Sequence, residues 1–352
     1  MKIAVLLSGG VDSSVALKLL QDQGHDVTAF YLKIWLEDEL SYLGDCPWQE
    51  DLDYVKNVCQ KLNVPLQVVS LQKEYHDEVV SYTIAQVKAG RTPNPDILCN
   101  SRIKFGLFLD KYGAQFDKVA SGHYAQLGDK NGRKVILASP DLVKDQSYFL
   151  SHLSQNQLQK AVFPIGQFFK HEVRQMAQDF DLPTKDRKDS QGICFLGKFK
   201  FKDFIKHHLG QKTGLMIEIE TGLKMGEHQG FWFYTIGQRQ GLGLAGGPWY
   251  VADKDPAKNI VYISRNYYSP EKQRDSFEID NCNWFSDLSN HPRELQVKLR
   301  HGPAKHAATI TPLADGRVAV KLQENDQGIA PGQFAVFYDG EVCLGGGVIA
   351  EK

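Results

Sequence analysis

Ser8-Gly9-Gly10-Val11-Asp12-Ser13-Ser14, set directly after the apolar run Ile3-Ala4-Val5-Leu6-Leu7, decides how this chain is read. A buried strand runs into a glycine loop, and the loop opens a helix. Adjacent glycines let the backbone turn tightly and come close to a ligand. Hydroxyls and free N–H groups at a helix N-terminus then make a seat for an anion. Val15, Ala16, Leu19 and Leu20 share one face of that helix before Gly24 stops it. No lysine stands where a Walker A loop needs one, and the glycine spacing is not Gly-x-Gly-x-x-Gly.

The pattern Ser-Gly-Gly-x-Asp-Ser resembles the pyrophosphate loop of the ATP pyrophosphatases. Those enzymes split ATP between the α and β phosphates and adenylate a substrate oxygen. The likeness implies that Leu7, Ser8, Gly9, Gly10, Val11, Asp12, Ser13 and Ser14 surround the phosphates. An aspartate among phosphates makes sense if Asp12 helps to hold a magnesium ion.

The chain has 352 residues, 42% of them apolar and 24% charged, which suits a soluble protein of two or three domains. A net charge of −1 excludes a broadly basic surface, so any nucleic acid must be held by local patches and shape. No apolar run of membrane-spanning length and no signal peptide occur, and a cytoplasmic location is expected. Six cysteines without Cys-x-x-Cys, and no His-Glu-x-x-His, argue against a disulfide scaffold and against a zinc site.

Over the first 200 residues, short β-rich runs alternate with helical patterns. The spacing predicts strands at 2–7, 26–34, 66–70 and 117–121, and helices at 12–23, 49–62, 74–89, 101–112 and 170–180. Such alternation predicts an α/β, doubly wound parallel sheet, with ligands at the carboxyl ends of its strands. Between 198 and 212, five lysines crowd with His207 and His208 around Phe199, Phe201 and Phe204. This is either a solvated helix with its phenylalanines packed inward or a contact for nucleic acid or a partner. Glycine-rich, β-like sequence follows, and alternating runs near the C-terminus predict a small antiparallel barrel. The expected domains are a catalytic domain at 1–200, a central β-rich domain at 201–272 and a β-barrel at 273–352.

Two further motifs carry chemistry. In Asn94-Pro95-Asp96-Ile97-Leu98-Cys99-Asn100, the prolines stiffen the approach to Cys99, which is expected near the start of a helix. A helix N-terminus favours thiolate, and Asp96 stands close enough to move a proton. In Asp189-Ser190-Gln191-Gly192-Ile193-Cys194-Phe195, the cysteine follows a glycine in a loop that is expected to swing. Two loop cysteines suggest sulfur or redox chemistry. Cys59 shares a helix face with Val55, Val58 and Leu62 and is expected in the core. Cys46, Cys282 and Cys343 match no catalytic motif.

These motifs, together with Gly122-His123-Tyr124-Ala125, Lys144-Asp145-Gln146-Ser147-Tyr148-Phe149 and Thr235-Ile236-Gly237-Gln238-Arg239, occur in one order. The whole chain closely resembles the tRNA-specific 2-thiouridylases. That resemblance implies that ATP adenylates the C2 oxygen of a wobble uridine and a cysteine persulfide then supplies sulfur, giving 2-thiouridine, AMP and pyrophosphate. It implies Cys194 as the persulfide carrier and Cys99 as the thiol that activates or resolves the persulfide, closing a Cys99–Cys194 disulfide. Asp96 is then the candidate acid or base. Leu32 and Gly122 fall near the adenine or ribose, and Asn94, Pro95 and Asp96 at the target base. His123, Lys144, Asp145, Gln146, Arg300, His301 and Gln333 correspond to tRNA contacts. His301 stands where the family often has an aromatic residue. The implied partners are the lysine, glutamate and glutamine tRNAs and a cysteine desulfurase or sulfur-relay protein. With no heptad or exposed apolar helix, a monomer is expected.

Rival readings are an adenylating ligase with an amine nucleophile, such as a lysidine synthetase, and a tRNA-binding protein without catalysis. The first has no use for two loop cysteines. The second would not keep every catalytic position. A plain thiol–disulfide protein leaves the glycine loop unexplained.

Overall fold

The computed structural model describes residues 1–34, 48–189, 200–270, 274–287 and 291–351. Cys46, the segment with Gly192 and Cys194, and Lys198 and Phe199 lie outside them. The chain begins with β1 (Lys2–Leu7), α1 (Val11–Asp22), β2 (Asp26–Lys33), α2 (Trp48–Leu62) and β3 (Leu66–Ser70). Helices α3 (72–88) and α4 (95–112) follow, each with a π-helical stretch inside it, His76–Val80 and Cys99–Leu107. Next come β4 (Lys118–Ser121), β5 (Ala125–Lys130), β6 (Arg133–Ala138), α5 (Gln155–Lys160), β7 (Ala161–Val162) and α6 (Lys170–Asp179).

Five of these strands form one sheet in the order β3-β2-β1-β4-β7, and every neighbouring pair is parallel. Strand β1 alternates cleanly. Ile3, Val5 and Leu7 enter a core with Val15 and Leu20 of α1, Val55 and Val58 of α2 and Val173 of α6. Ala4 and Leu6 face a second core with Val79 and Val80 of α3 and Ile103 and Phe108 of α4. The sheet is thus covered on both faces, as its continuous apolar strands require. Strand order reverses between β1 and β4. The crevice outside their carboxyl ends is where such sheets bind ligands.

Helix α7 (Phe201–Leu209) crosses to the rest of the chain. It buries Phe204 and Ile205 in the core under α3 and α4, while Lys202 and Lys206 are exposed. Its phenylalanines therefore pack inward, as the solvated-helix reading expected. Four strands, β8 (Gly214–Glu218), β9 (Lys224–His228), β10 (Tyr250–Asp255) and β11 (Ile260–Ser264), form a sheet in the order β10-β11-β8-β9. Met216, Phe231, Trp249, Val251 and Ile263 make its core.

The last six strands are β12 (Ser276–Trp284), β13 (Arg293–Lys298), β14 (His306–Pro312), β15 (Val318–Leu322), β16 (Phe334–Asp339) and β17 (Val342–Ile349). Their order β12-β15-β14-β13-β16-β17 closes through a β12–β17 pairing into the expected antiparallel barrel. The hairpin β5–β6, which the sequence reading did not anticipate, extends this barrel. Leu137 and Ile136 pair with Val342 and Cys343 of β17. Phe334, Val336 and Tyr338 of the barrel share a core with Phe105, Tyr148 and Leu150 of the first domain. The two domains are joined by packing as well as by chain.

One buried ion pair pins the junction. Lys298 of β13 donates to Asp145 at 2.7 Å, with side chains 1% and 0% exposed. Asp145 also accepts from the backbone N–H groups of Ser139 and Ser147 and from the Ser147 hydroxyl. Breaking one partner of such a pair leaves a stranded charge, typically costing about 3–5 kcal/mol. Asp145→Ala is therefore expected to lower the urea midpoint sharply, and adding Lys298→Met is expected to restore much of the loss. A single substitution costing less than about 1 kcal/mol would contradict this picture of the junction.

Candidate active site

The glycine loop sits at the carboxyl end of β1 and opens α1. Gly9 has a left-handed φ of +78°. Ser13 Oγ accepts from the Ser8 N–H at 3.2 Å, and the Ser14 hydroxyl donates to the Gly10 carbonyl at 2.8 Å. These bonds fix the loop from within. Across the crevice, a Cβ on Gly122 would stand 2.7 Å from the Ser13 nitrogen, so only glycine lets β4 approach this closely. Leu7 and Val11 are buried beside the loop, and Leu32, half-buried at the end of β2, packs against the core that contains Leu6.

Asp12 is the hub of a charged network. Its carboxylate accepts from the Tyr124 hydroxyl at 2.8 Å and from Lys170 at 2.6 Å. Lys170 also reaches Asp189 at 2.9 Å, and Asp189 pairs with Lys144 at 2.8 Å and with Arg174. Arg187 donates to the Gly9 carbonyl at 2.7 Å and pairs with Asp51 of α2. Burial alone would raise the Asp189 carboxyl. Hydrogen bonds from Lys144 and Lys170 outweigh it and hold the group well below the usual carboxylate range. Burial, then the Asp12 charge, drives the Tyr124 hydroxyl far upward, so it stays a donor. Four cations thus border a loop already shaped for an anion. Sequence reasoning missed Lys170, Arg174 and Arg187, and it quoted Asp189 without giving it a role.

The cysteine motif lies at the same edge of the sheet. Helix α4 feeds β4 at its amino end, so the N-terminus of α4 stands at the carboxyl edge. Asn94 is the N-cap, accepting from the N–H groups of Asp96 and Ile97, and Pro95 occupies the first turn. Asp96 is half-buried in that first turn. Cys99 lies one turn further in than expected, past the reach of the helix-end field, and it is 0% exposed. The Tyr148 hydroxyl donates to the Phe334 carbonyl of the barrel at 3.1 Å.

The residues matched to tRNA contacts divide into two groups. Arg300 is 58% exposed although it pairs with Asp326 at 2.8 Å. His301 stacks on Phe149 with ring centroids 4.8 Å apart, so its imidazole does the work of an aromatic ring. Its Nε2–H donates to the Asp145 carbonyl at 3.2 Å. Lys144 is half-buried beside the nucleotide crevice. Gln333 keeps a buried Oε1 without a hydrogen-bond partner. Three other side chains matched to tRNA contacts have partners within the protein. Asp145 is consumed by Lys298. Gln146 accepts from the Tyr124 N–H at 3.0 Å, holding the crevice wall. His123 is buried, bonded to the Ser121 hydroxyl at 2.7 Å, and burial keeps its imidazole neutral.

Burial pushes the thiols of Cys59 and Cys282 up to about 11 and that of Cys343 up to about 12. Cys59 packs with Val55, Val58 and Leu62, as expected. Among the described residues no cluster of metal-ligating side chains occurs, and no helix is long and apolar enough to cross a membrane.

A phosphate-shaped loop at the switch point of a parallel sheet, with a barrel fused to its flank, is the arrangement that the matching family models span. The family described as tRNA methyl transferase HUP domain matches residues 1–198, its PRC-barrel companion 202–265, and the aminomethyltransferase beta-barrel domain 274–349. The chain belongs to the tRNA-specific 2-thiouridylase family. It is 46% identical over 361 residues to tRNA-specific 2-thiouridylase MnmA of Parabacteroides distasonis, covering 100% of this chain and 99% of the relative. The enzyme of the same name in Porphyromonas gingivalis is 44% identical over 363 residues, with the same coverage. MnmA 2 of Bacteroides fragilis is 44% identical over 355 residues, covering 99% of this chain and 100% of the relative.

Proposed function

We infer that this chain is a tRNA-uridine 2-sulfurtransferase, and that it activates the C2 oxygen of a wobble uridine with ATP before replacing that oxygen with sulfur. The observation that carries the reading is the pairing of two chemistries at one sheet edge: an anion-shaped loop ringed by cations, and the helix of Cys99. A urea-like carbonyl is a poor electrophile. Adenylation makes its oxygen a leaving group, with pyrophosphate released. The N–H groups of the loop and the cations Lys170, Lys144 and Arg187 bind the phosphates and offset the charge that builds on them.

Asp12 is the carboxylate placed to hold magnesium, which binds through one or two carboxylates plus phosphate oxygens, and the ion would neutralise phosphate charge there. In the second half-reaction a persulfide on Cys194 attacks C2 through its terminal sulfur, and AMP leaves. The Cys99 thiolate then attacks the Cys194 sulfur. The S–S bond breaks, 2-thiouridine is released and a Cys99–Cys194 disulfide remains for an external thiol to reduce. Asp96 is the group proposed to move protons at the base, and Asn94 and Pro95 to seat it.

In this reading residues 1–200 carry the chemistry, while 201–272 and 273–352 hold tRNA, with Arg300, His301 and Gln333 on the barrel side. The substrates are the lysine, glutamate and glutamine tRNAs, the sulfur comes from a cytoplasmic desulfurase or relay protein, and the enzyme acts as a monomer. Incubating the protein with ATP, magnesium, tRNA, a cysteine desulfurase with cysteine as persulfide donor, and a reducing thiol tests the core of this. Nucleoside mass spectrometry is expected to find 2-thiouridine, with AMP and pyrophosphate formed in step. AMP without thiouridine would point to another nucleophile. Bound tRNA with neither product would leave only a binding protein.

A further inference from the structure

Helix α4 changes register under its reactive residue. Pro95–Leu98 and Phe108–Tyr112 are ordinary α-helix, but Cys99–Leu107 is π-helical. Stretches of this kind are short-lived in most helices and collect at functional sites. Two features hold this one. A Cβ on Gly106 would lie 2.7 Å from the Ser101 carbonyl oxygen, five residues back, closer than real Cβ atoms come. The same carbonyl is drawn out by Gln157, whose Nε2 donates to it at 2.8 Å. Gln157 is itself fixed, because its Oε1 accepts from the Ser154 N–H at 2.8 Å in the capping box of α5.

We propose that Gly106 and Gln157, acting through the Ser101 carbonyl, are positioning residues that set the direction of Cys99. The proposal rests on the reading of Cys99 as the sulfur-transfer thiol. Ile103 and Phe105 within the π-helical stretch and Phe108 beyond it are wholly buried and hold the C-terminal side of the helix in place, and Ile97 and Cys99 are as deeply buried on the N-terminal side. Reverting to α-helix removes one residue from the turn. The upstream half, with Cys99, then rotates by roughly 100°, one residue's share of a helical turn. A thiol turned by that angle misses its target, although nothing near the phosphate loop has moved.

The test measures 2-thiouridine formed against pyrophosphate released, in the same reaction, for Gly106→Ala. The ratio is expected to fall by about tenfold to a hundredfold, the range expected for a misplaced reacting group, while pyrophosphate release stays within about twofold. Loss of folded enzyme lowers both products together and leaves the ratio alone. Ile310→Ala, in the far barrel core, serves as a destabilised control whose ratio should match the wild type. Should Gly106→Ala not fold, Gln157→Met removes the pull on Ser101 without adding a Cβ, and its ratio is expected to fall in the same direction. A wild-type ratio in the folded variant overturns the proposal. Undiminished thiouridine from Cys99→Ala would instead overturn the role of Cys99, so the two failures are told apart.

Discussion

Cys99→Ala is expected to bring 2-thiouridine below detection while ATP and tRNA still release pyrophosphate. The two half-reactions use different groups. Adenylation depends on the loop from Ser8 to Ser14 and its ring of cations. Sulfur transfer needs a second sulfur to cleave the persulfide, and alanine offers none. The substitution removes one buried atom from a core that includes Ile97, Leu98 and Ile103. Small deletions of this kind usually cost about 0.5–1.5 kcal/mol, too little to unfold a domain of this size. The check is pyrophosphate and nucleoside analysis on one sample, with a thermal melt to confirm folding. Continued thiolation would remove Cys99 from the mechanism. Loss of both products in folded protein would move Cys99 into the activation step.

What the sequence disclosed depended on how local each signal is. Strand β1 and helix α1 were legible because a run of apolar residues, a glycine pair and a 3.6-residue stripe are all properties of neighbours in the chain. The β5–β6 hairpin was not, because Ile136 and Leu137 find their partners at Cys343 and Val342, at the other end of the molecule. The register change in α4 was hidden for another reason: a search for 3.6-residue periodicity treats 101–112 as an ordinary helix. Lys170, Arg174 and Arg187 look like solvated charges in any helical sequence. The packing of α6 against α1 brings Lys170 to Asp12, and the segment after α6 carries Arg187 to Gly9. Resemblance pointed to Lys144, Asp145 and Gln146 as a unit, yet their side chains part. One borders the nucleotide crevice, one binds the barrel and one holds Tyr124.

That division makes Lys170 the more informative second target. Lys170→Met is expected to slow pyrophosphate release by about a hundredfold to a thousandfold, the usual effect of deleting one preorganised donor from a charged transition state. The side chain is only 12% exposed, and it already bridges Asp12 and Asp189, so it is in place before any phosphate arrives. Phosphate oxygens entering the loop would compete with these carboxylates for the ammonium. Asp12 would then be released toward magnesium as Lys170 turns to the phosphates. Methionine keeps the length of the stem and drops the charge, taking the ammonium from Asp12 while Asp189 keeps Lys144 and Arg174. Both the KM for ATP and kcat should suffer, since the cation binds the ground-state phosphates and holds the transition-state charge more strongly still. Lys170→Arg, which keeps the charge, is expected to retain part of the activity. Thiouridine and pyrophosphate should fall together in Lys170→Met, in contrast to Cys99→Ala, where only thiouridine is lost. A Lys170→Met enzyme within about threefold of wild type in pyrophosphate release would mean that the phosphates never displace Asp12 from this lysine.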